Sequence, residues 1–124
     1  MAHTILLAED EDDDVFFFKT AMAKAGIVSQ LHVAHDGQEA LDYFQGTGKF
    51  QDRAQFPLPD LMFLDLKLPK VMGLEVLKWI RQQPELASIV VILSSSSDQE
   101  DVATAYRLGA NAYLVKPTDI SHLM

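Results

Sequence analysis

The chain has no cysteine, which excludes disulfides, thiolate metal sites and cysteine nucleophiles. That absence accords with a reducing compartment, and a cytoplasmic location is the expectation. No apolar run approaches the roughly 20 residues that a membrane-spanning helix needs, and the first residues carry no signal-peptide pattern. Basic residues are scarce: 10 Lys and Arg stand against 18 Asp and Glu, for a formal net charge of −8. Nucleic-acid phosphates require a basic face, so neither nucleic acid nor a membrane surface is expected as a partner. The nucleotide-cradling pattern Gly-x-x-x-x-Gly-Lys is missing as well, and Gly37 and Gly48 read as turn residues. His3, His32, His35 and His122 fall at no metal-ligand spacing and read as structural or surface groups.

What is present describes one globular domain over residues 1–124, with 48% apolar and 23% charged residues and nothing left over for an output domain. Five short apolar runs recur, at Ile5–Ala8, Leu31–Ala34, Leu61–Leu64, Ile89–Leu93 and Ala112–Val115. Between them lie helical patterns: Val15 to Ala25 ending at Gly26, Gln38–Phe44 ending near Gly46, Leu74 to Ile80 before Pro84, and Val102 to Leu108 before Gly109. Strands alternating with helices of this length predict βαβ units and a doubly wound parallel α/β sheet with helices on both faces. Residues 46–59 hold two glycines and two prolines and predict an extended surface loop before the third strand. Asp119 could cap a final helix, yet Met124 follows within about one and a half turns. That final helix is expected to be short or truncated, leaving a face of the sheet open for self-association or for further residues.

The chemistry concentrates where strands end. Ile5-Leu6-Leu7-Ala8 runs directly into six carboxylates, Glu9 to Asp14. Acids at the carboxyl end of a central parallel strand sit where open α/β sheets place ligands. Glu9 and Asp10, nearest the strand end, are expected to hold a hard divalent cation, and Mg2+ suits a carboxylate-poor, water-rich site of this kind. Glu11 to Asp14 read as a solvated run that feeds a helix N-terminus. Leu61-Met62-Phe63-Leu64-Asp65 repeats the pattern, so Asp65 joins the same cleft if the two strands are neighbours. Next to a cation its carboxylate stays ionised and can attack phosphorus. The fourth strand delivers Ser94 and the fifth delivers Lys116, the one cation at any of the five strand ends. Pro117 follows, and a cis bond there would aim the lysine inward. Two acids, a third acid, a hydroxyl and a lysine are the parts needed to move a phosphoryl group onto a carboxylate.

Four stretches carry a family resemblance along essentially the whole chain. They are Ile5-Leu6-Leu7-Ala8-Glu9-Asp10, Leu64-Asp65-Leu66-Lys67-Leu68-Pro69-Lys70-Val71-Met72-Gly73, Ile92-Leu93-Ser94-Ser95, and Gly109-Ala110-Asn111-Ala112-Tyr113-Leu114-Val115-Lys116-Pro117. Together they resemble the receiver domain of two-component response regulators, and most of all the small stand-alone receivers that partner bacterial phytochromes. The resemblance implies a five-stranded, flavodoxin-like sheet of order 2-1-3-4-5. It implies that Asp65 accepts phosphate from a sensor histidine kinase, which for this sub-family is of phytochrome type. It also implies Mg2+ on Glu9, Asp10, Asp65 and the Lys67 backbone carbonyl, with Lys116 on the phosphoryl group and Ser94 and Tyr113 as the switch pair. The protein is then no enzyme beyond promoting its own phosphorylation and dephosphorylation. It signals through contacts with a downstream protein, a phosphotransfer partner or a second copy. Rival readings are a phosphatase of the haloacid-dehalogenase type and a receiver-fold binding module that is never phosphorylated. The first resembles a pattern with an acid two residues after the nucleophile, where this chain has Lys67.

Overall fold

The computed structural model describes residues 3–27 and 29–116. Five strands and four helices alternate: β1 (His3–Ala8), α1 (Asp12–Lys24), β2 (Ser29–Ala34), α2 (Gly37–Gln45), β3 (Leu61–Leu64), α3 (Gly73–Arg81), β4 (Ile89–Ser94), α4 (Gln99–Arg107) and β5 (Ala112–Val115). Each strand candidate lies within an observed strand. All strand pairs are parallel, in the order β2-β1-β3-β4-β5. The expectation of a doubly wound, flavodoxin-like sheet therefore holds.

Alternation along the strands divides the side chains between two faces. Leu6, Ala8, Met62, Leu64, Val90 and Ile92 pack with Tyr43 and Phe44 of α2, Val76, Leu77 and Ile80 of α3, and Ala105 of α4 in the main core. The intervening residues, Ile5, Leu61, Phe63 and Ile89, face the side of α1. There Phe18 meets Phe63 edge to face at 4.7 Å. Of the three consecutive phenylalanines, Phe16 reaches solvent. An open apolar groove of about 940 Å³ runs beside α1 over these strands. Leu114, Val115 and Ile89 are exposed among the described residues. The final-helix expectation, the Asp119 cap, His122 and the Pro117 bond all lie outside the described residues.

Helix ends follow the sequence signals closely. α1 opens with Asp12, Asp13 and Asp14, which complement its dipole. It closes on Gly26 at φ 71°, where Ile27 N–H donates to Met22 O and Gly26 N–H to Ala23 O, a Schellman arrangement. One correction concerns a glycine. Gly37 is no turn residue: it starts α2, and a Cβ there would lie 1.8 Å from the Val71 carbonyl oxygen. Its lack of a side chain lets α2 pack against the loop that follows β3. Residues 46–59 form the expected surface loop before β3, mostly exposed, with one 3-10 turn at Gly48–Phe50. Arg53 donates to the carbonyls of Tyr43, Phe44 and Phe56, while Tyr43 O–H donates to Pro57 O. Phe50 and Phe56 pack against Tyr43 and each other. Burial of the Tyr43 ring pushes its phenol up to about 12.

Candidate functional site

Register alone brings the first two acidic stretches together. Ala8 pairs with Leu64 across β1 and β3, so the next residues, Glu9 and Asp65, leave the sheet side by side. Asp65 N–H donates to Ala8 O at 3.1 Å, and Glu9 N–H donates to Ala34 O at 2.9 Å. Both backbones are thus locked to the strands before their side chains enter the cleft. Glu9, Asp10 and Asp65 each offer a carboxylate oxygen, and these oxygens all lie within 4.8 Å of one another. Glu9 and Asp65 are buried, while Asp10 reaches solvent.

The loop from Asp65 to Gly73 is shaped by backbone contacts. Lys67 N–H donates to Asp65 Oδ1 at 3.1 Å and fixes the carboxylate. Lys70 takes a left-handed φ of 67°, and Val71 N–H closes a tight turn onto Pro69 O at 2.7 Å. Gly73 N–H then donates to Leu66 O. A Cβ on Gly73 would stand 2.1 Å from the Asp65 carbonyl oxygen, so α3 starts directly against the backbone of Asp65. The side chain of Lys67 is exposed, in the position where a haloacid-dehalogenase phosphatase would carry its second acid.

Lys116, at the end of β5, closes the cleft. Its backbone N–H donates to Ser94 O at 2.7 Å, tying the ends of β4 and β5. Its Nζ donates to Glu9, to Asp14 Oδ2 at 2.9 Å and to Asp65 Oδ2 at 3.0 Å. An ammonium has three N–H donors, and all three are used. Its side chain is only 13% exposed, yet the three carboxylates outweigh the burial that alone would lower it, and they hold Lys116 above the usual lysine range. Glu9 moves the opposite way. Burial pushes it up to about 7, the nearby Asp65 charge adds to this, and Lys116 and the Glu11 N–H oppose it. Ser94 is fully buried, and its Oγ accepts from Ser96 N–H at 3.1 Å. Tyr113 turns inward onto the core, its O–H donating to Ser96 O at 2.8 Å.

Asp14 is the residue that reading the sequence placed wrongly. It was expected among the solvated acids, and Asp12 and Asp13 are indeed exposed. Asp14, however, lies on the α1 stripe that continues through Phe18, Ala21, Met22 and Ala25, whose side chains line the groove over the sheet. Helical side chains tilt toward the N-terminus, so the top residue of that stripe reaches the strand ends. The 14-18-21-25 spacing was the available signal. Of the described histidines, His3 and His35 are exposed, and His32 packs against Tyr43 and Phe56.

Among the described residues the donors in the cleft are carboxylate oxygens, which is the chemistry of a hard divalent cation. Two of the three carboxylates already neutralise an ammonium, so a pair of negative charges is available to a metal there. A parallel sheet of order 2-1-3-4-5 with acids ending its adjacent strands β1 and β3 and a lysine ending β5 has the architecture of a response-regulator receiver. Residues 5–124 match the family model for the response regulator receiver domain, and the chain belongs to that family. Response regulator Rcp1 of Synechocystis sp. is 37% identical over 120 residues, spanning 96% of this chain and 80% of Rcp1. The Mn(2+)-bound form of Rcp1 superposes with a TM-score of 0.89 at 35% identity, covering 98% of this chain and 86% of that one. Phosphorylated RcpA, a cyanobacterial phytochrome response regulator, gives 0.89 at 34% identity over 99% of this chain and 86% of its own. The bacteriophytochrome response regulator AtBRR gives 0.83 at 41% identity, over 98% and 86%.

Proposed function

We propose that this receiver is a phospho-accepting switch in which Asp65 takes a phosphoryl group from a histidine kinase of phytochrome type. The observation that carries this reading is the Asp65 carboxylate held 3.0 Å from Lys116 Nζ, within reach of the Glu9 and Asp10 oxygens. The likeness to Rcp1, RcpA and AtBRR supports the kinase class. An Asp65 oxygen attacks phosphorus as the bond from phosphorus to the donor histidine nitrogen breaks, leaving an aspartyl phosphate and a free imidazole. Glu9, Asp10, Asp65 and the Lys67 carbonyl would hold Mg2+, which when bound offsets the charge that builds on the transferring oxygens.

Lys116 exchanges Glu9 and Asp65 for a phosphoryl oxygen, to which its ammonium is a strong donor. Ser94 would donate its hydroxyl to a second phosphoryl oxygen. Both Ser94 and Tyr113 bond to Ser96, so motion of that loop couples them. The chain then signals by protein contacts, with a downstream protein or a second copy. It has no catalytic role beyond its own phosphorylation and dephosphorylation.

Intact mass after incubation with acetyl phosphate and Mg2+ tests the assignment. One phosphoryl mass is expected, labile to hydroxylamine and absent from Asp65→Asn. A modification that persists in Asp65→Asn overturns it.

A further inference from the structure

We infer that Asp14 is a positioning residue for Lys116, the carboxylate that keeps the ammonium in the cleft when a cation takes Glu9 and Asp65. The inference rests on the proposed reading of the cleft as a divalent-cation site. Lys116 spends its three N–H donors on Glu9, Asp14 and Asp65. Two of those acceptors belong to the carboxylate cluster that would hold the cation, together with Asp10. Asp14 does not. A metal entering the cluster therefore competes with Lys116 for Glu9 and Asp65, but leaves the Asp14 bond untouched.

The position of Asp14 suits that task. It stands on the first turn of α1, an element separate from the strand ends that carry Glu9 and Asp65. Its side chain is 38% exposed, against 2% for Glu9 and 9% for Asp65, so it is the most solvent-accessible of the three acceptors. Without Asp14, a displaced Lys116 would face a dication with no anion left to itself. The lysine would then hold Glu9 and Asp65 more tightly, and the metal would bind less well. With Asp14, the ammonium pivots from three partners to one and remains beside Asp65, where phosphoryl oxygens arrive.

Isothermal titration of Mg2+ into five variants and the wild type tests this. Asp14→Asn removes the contact and one charge. Asp13→Asn removes one charge from an exposed neighbour in the same run and serves as the electrostatic control. Asp14→Asn should weaken Mg2+ binding by roughly two- to five-fold beyond Asp13→Asn, the range of a partly exposed charge pair. In a Lys116→Ala background, Asp14→Asn should fall to the Asp13→Asn value, because no ammonium remains to be held. Asp14→Glu, which keeps a carboxylate within reach, should recover part of the loss. Equal effects of Asp14→Asn and Asp13→Asn, or the same Asp14→Asn effect with and without Lys116, would overturn the inference. Failure of the wild type itself to bind Mg2+ would instead overturn the reading on which it rests.

Discussion

Lys116 Nζ and Asp65 Oδ2 stand 3.0 Å apart, joining the end of β5 to the end of β3 across the intervening β4. Fifty-one residues separate the two in sequence, and both are largely buried. The contact links the one basic strand end to the proposed phosphoacceptor, and it makes the resting cleft a closed charge network rather than an open acidic bowl.

Removing the lysine should therefore have two opposite signs. Lys116→Ala leaves the buried Glu9 and Asp65 without their counter-ion and should lower the melting temperature, since an unpaired buried charge typically costs about 3–5 kcal/mol. Addition of Mg2+ should restore much of that stability, and Mg2+ affinity should not fall. Phosphorylation by acetyl phosphate should still slow, because no ammonium meets the phosphoryl oxygens. Thermal scans with and without Mg2+, paired with intact mass, check both halves.

Gly73→Ala should damage the site without touching a functional side chain. The new Cβ would meet the Asp65 carbonyl oxygen at 2.1 Å, and the neighbour is backbone, which cannot swing aside. Overpacking of this kind costs about 1–3 kcal/mol, and here the displaced group carries Asp65. Chemical denaturation should show the loss, with reduced phosphorylation in the protein that remains folded.

Arg53→Ala should loosen the segment between α2 and β3. Three carbonyls lose a charged donor, those of Tyr43, Phe44 and Phe56. A loss of about 1.5–3 kcal/mol is expected, in line with hydrogen bonds to charged groups. Limited proteolysis should then cut within residues 46–59, while the wild type resists.

The histidine at position 32 should impose a slope on stability in mild acid. Burial lowers its folded-state value below the ordinary 6.5, and its Nε2 is buried without a hydrogen-bond partner. The unfolded chain thus binds the proton more readily, so stability is full above pH 6.5 and is lost as pH falls below it. The loss levels off once the pH is under the folded-state value. Glu9, pushed up to about 7, contributes a slope of the opposite sign in the same range, so the measurement is the difference between wild type and His32→Phe in denaturation midpoint from pH 7.5 downward, which should show the wild type losing more stability in acid.

Much of the architecture was legible because buried parallel strands and amphipathic helices write different periods into the chain. Leu61–Leu64 and Ala112–Val115 were read to the residue, and the Gly26 and Gly46 helix ends followed from the backbone freedom those positions require. The cleft was legible to the extent that strand ends determine it: register carries Glu9 to Asp65 without any further information. Asp14 was hidden because its environment depends on which face α1 turns to the sheet, and a run of six acids masks the stripe on which it lies. The loop at residues 46–59 was legible from its glycines and prolines, but its fastening by Arg53 was not, because the acceptors are backbone carbonyls that carry no sequence signature.

That loop has a consequence for how molecules of this protein meet. β2 is a sheet edge, hydrogen-bonded only to β1, and exposed edges invite the strands of other molecules. Gln30 Nε2 donates to Gln55 O at 3.1 Å, and His32 rests on Phe56, so the segment fastened by Arg53 is also stitched to β2 at two points. An incoming strand must first unpick those stitches. Cover for that edge thereby leans on one arginine that takes no part in the charged cleft.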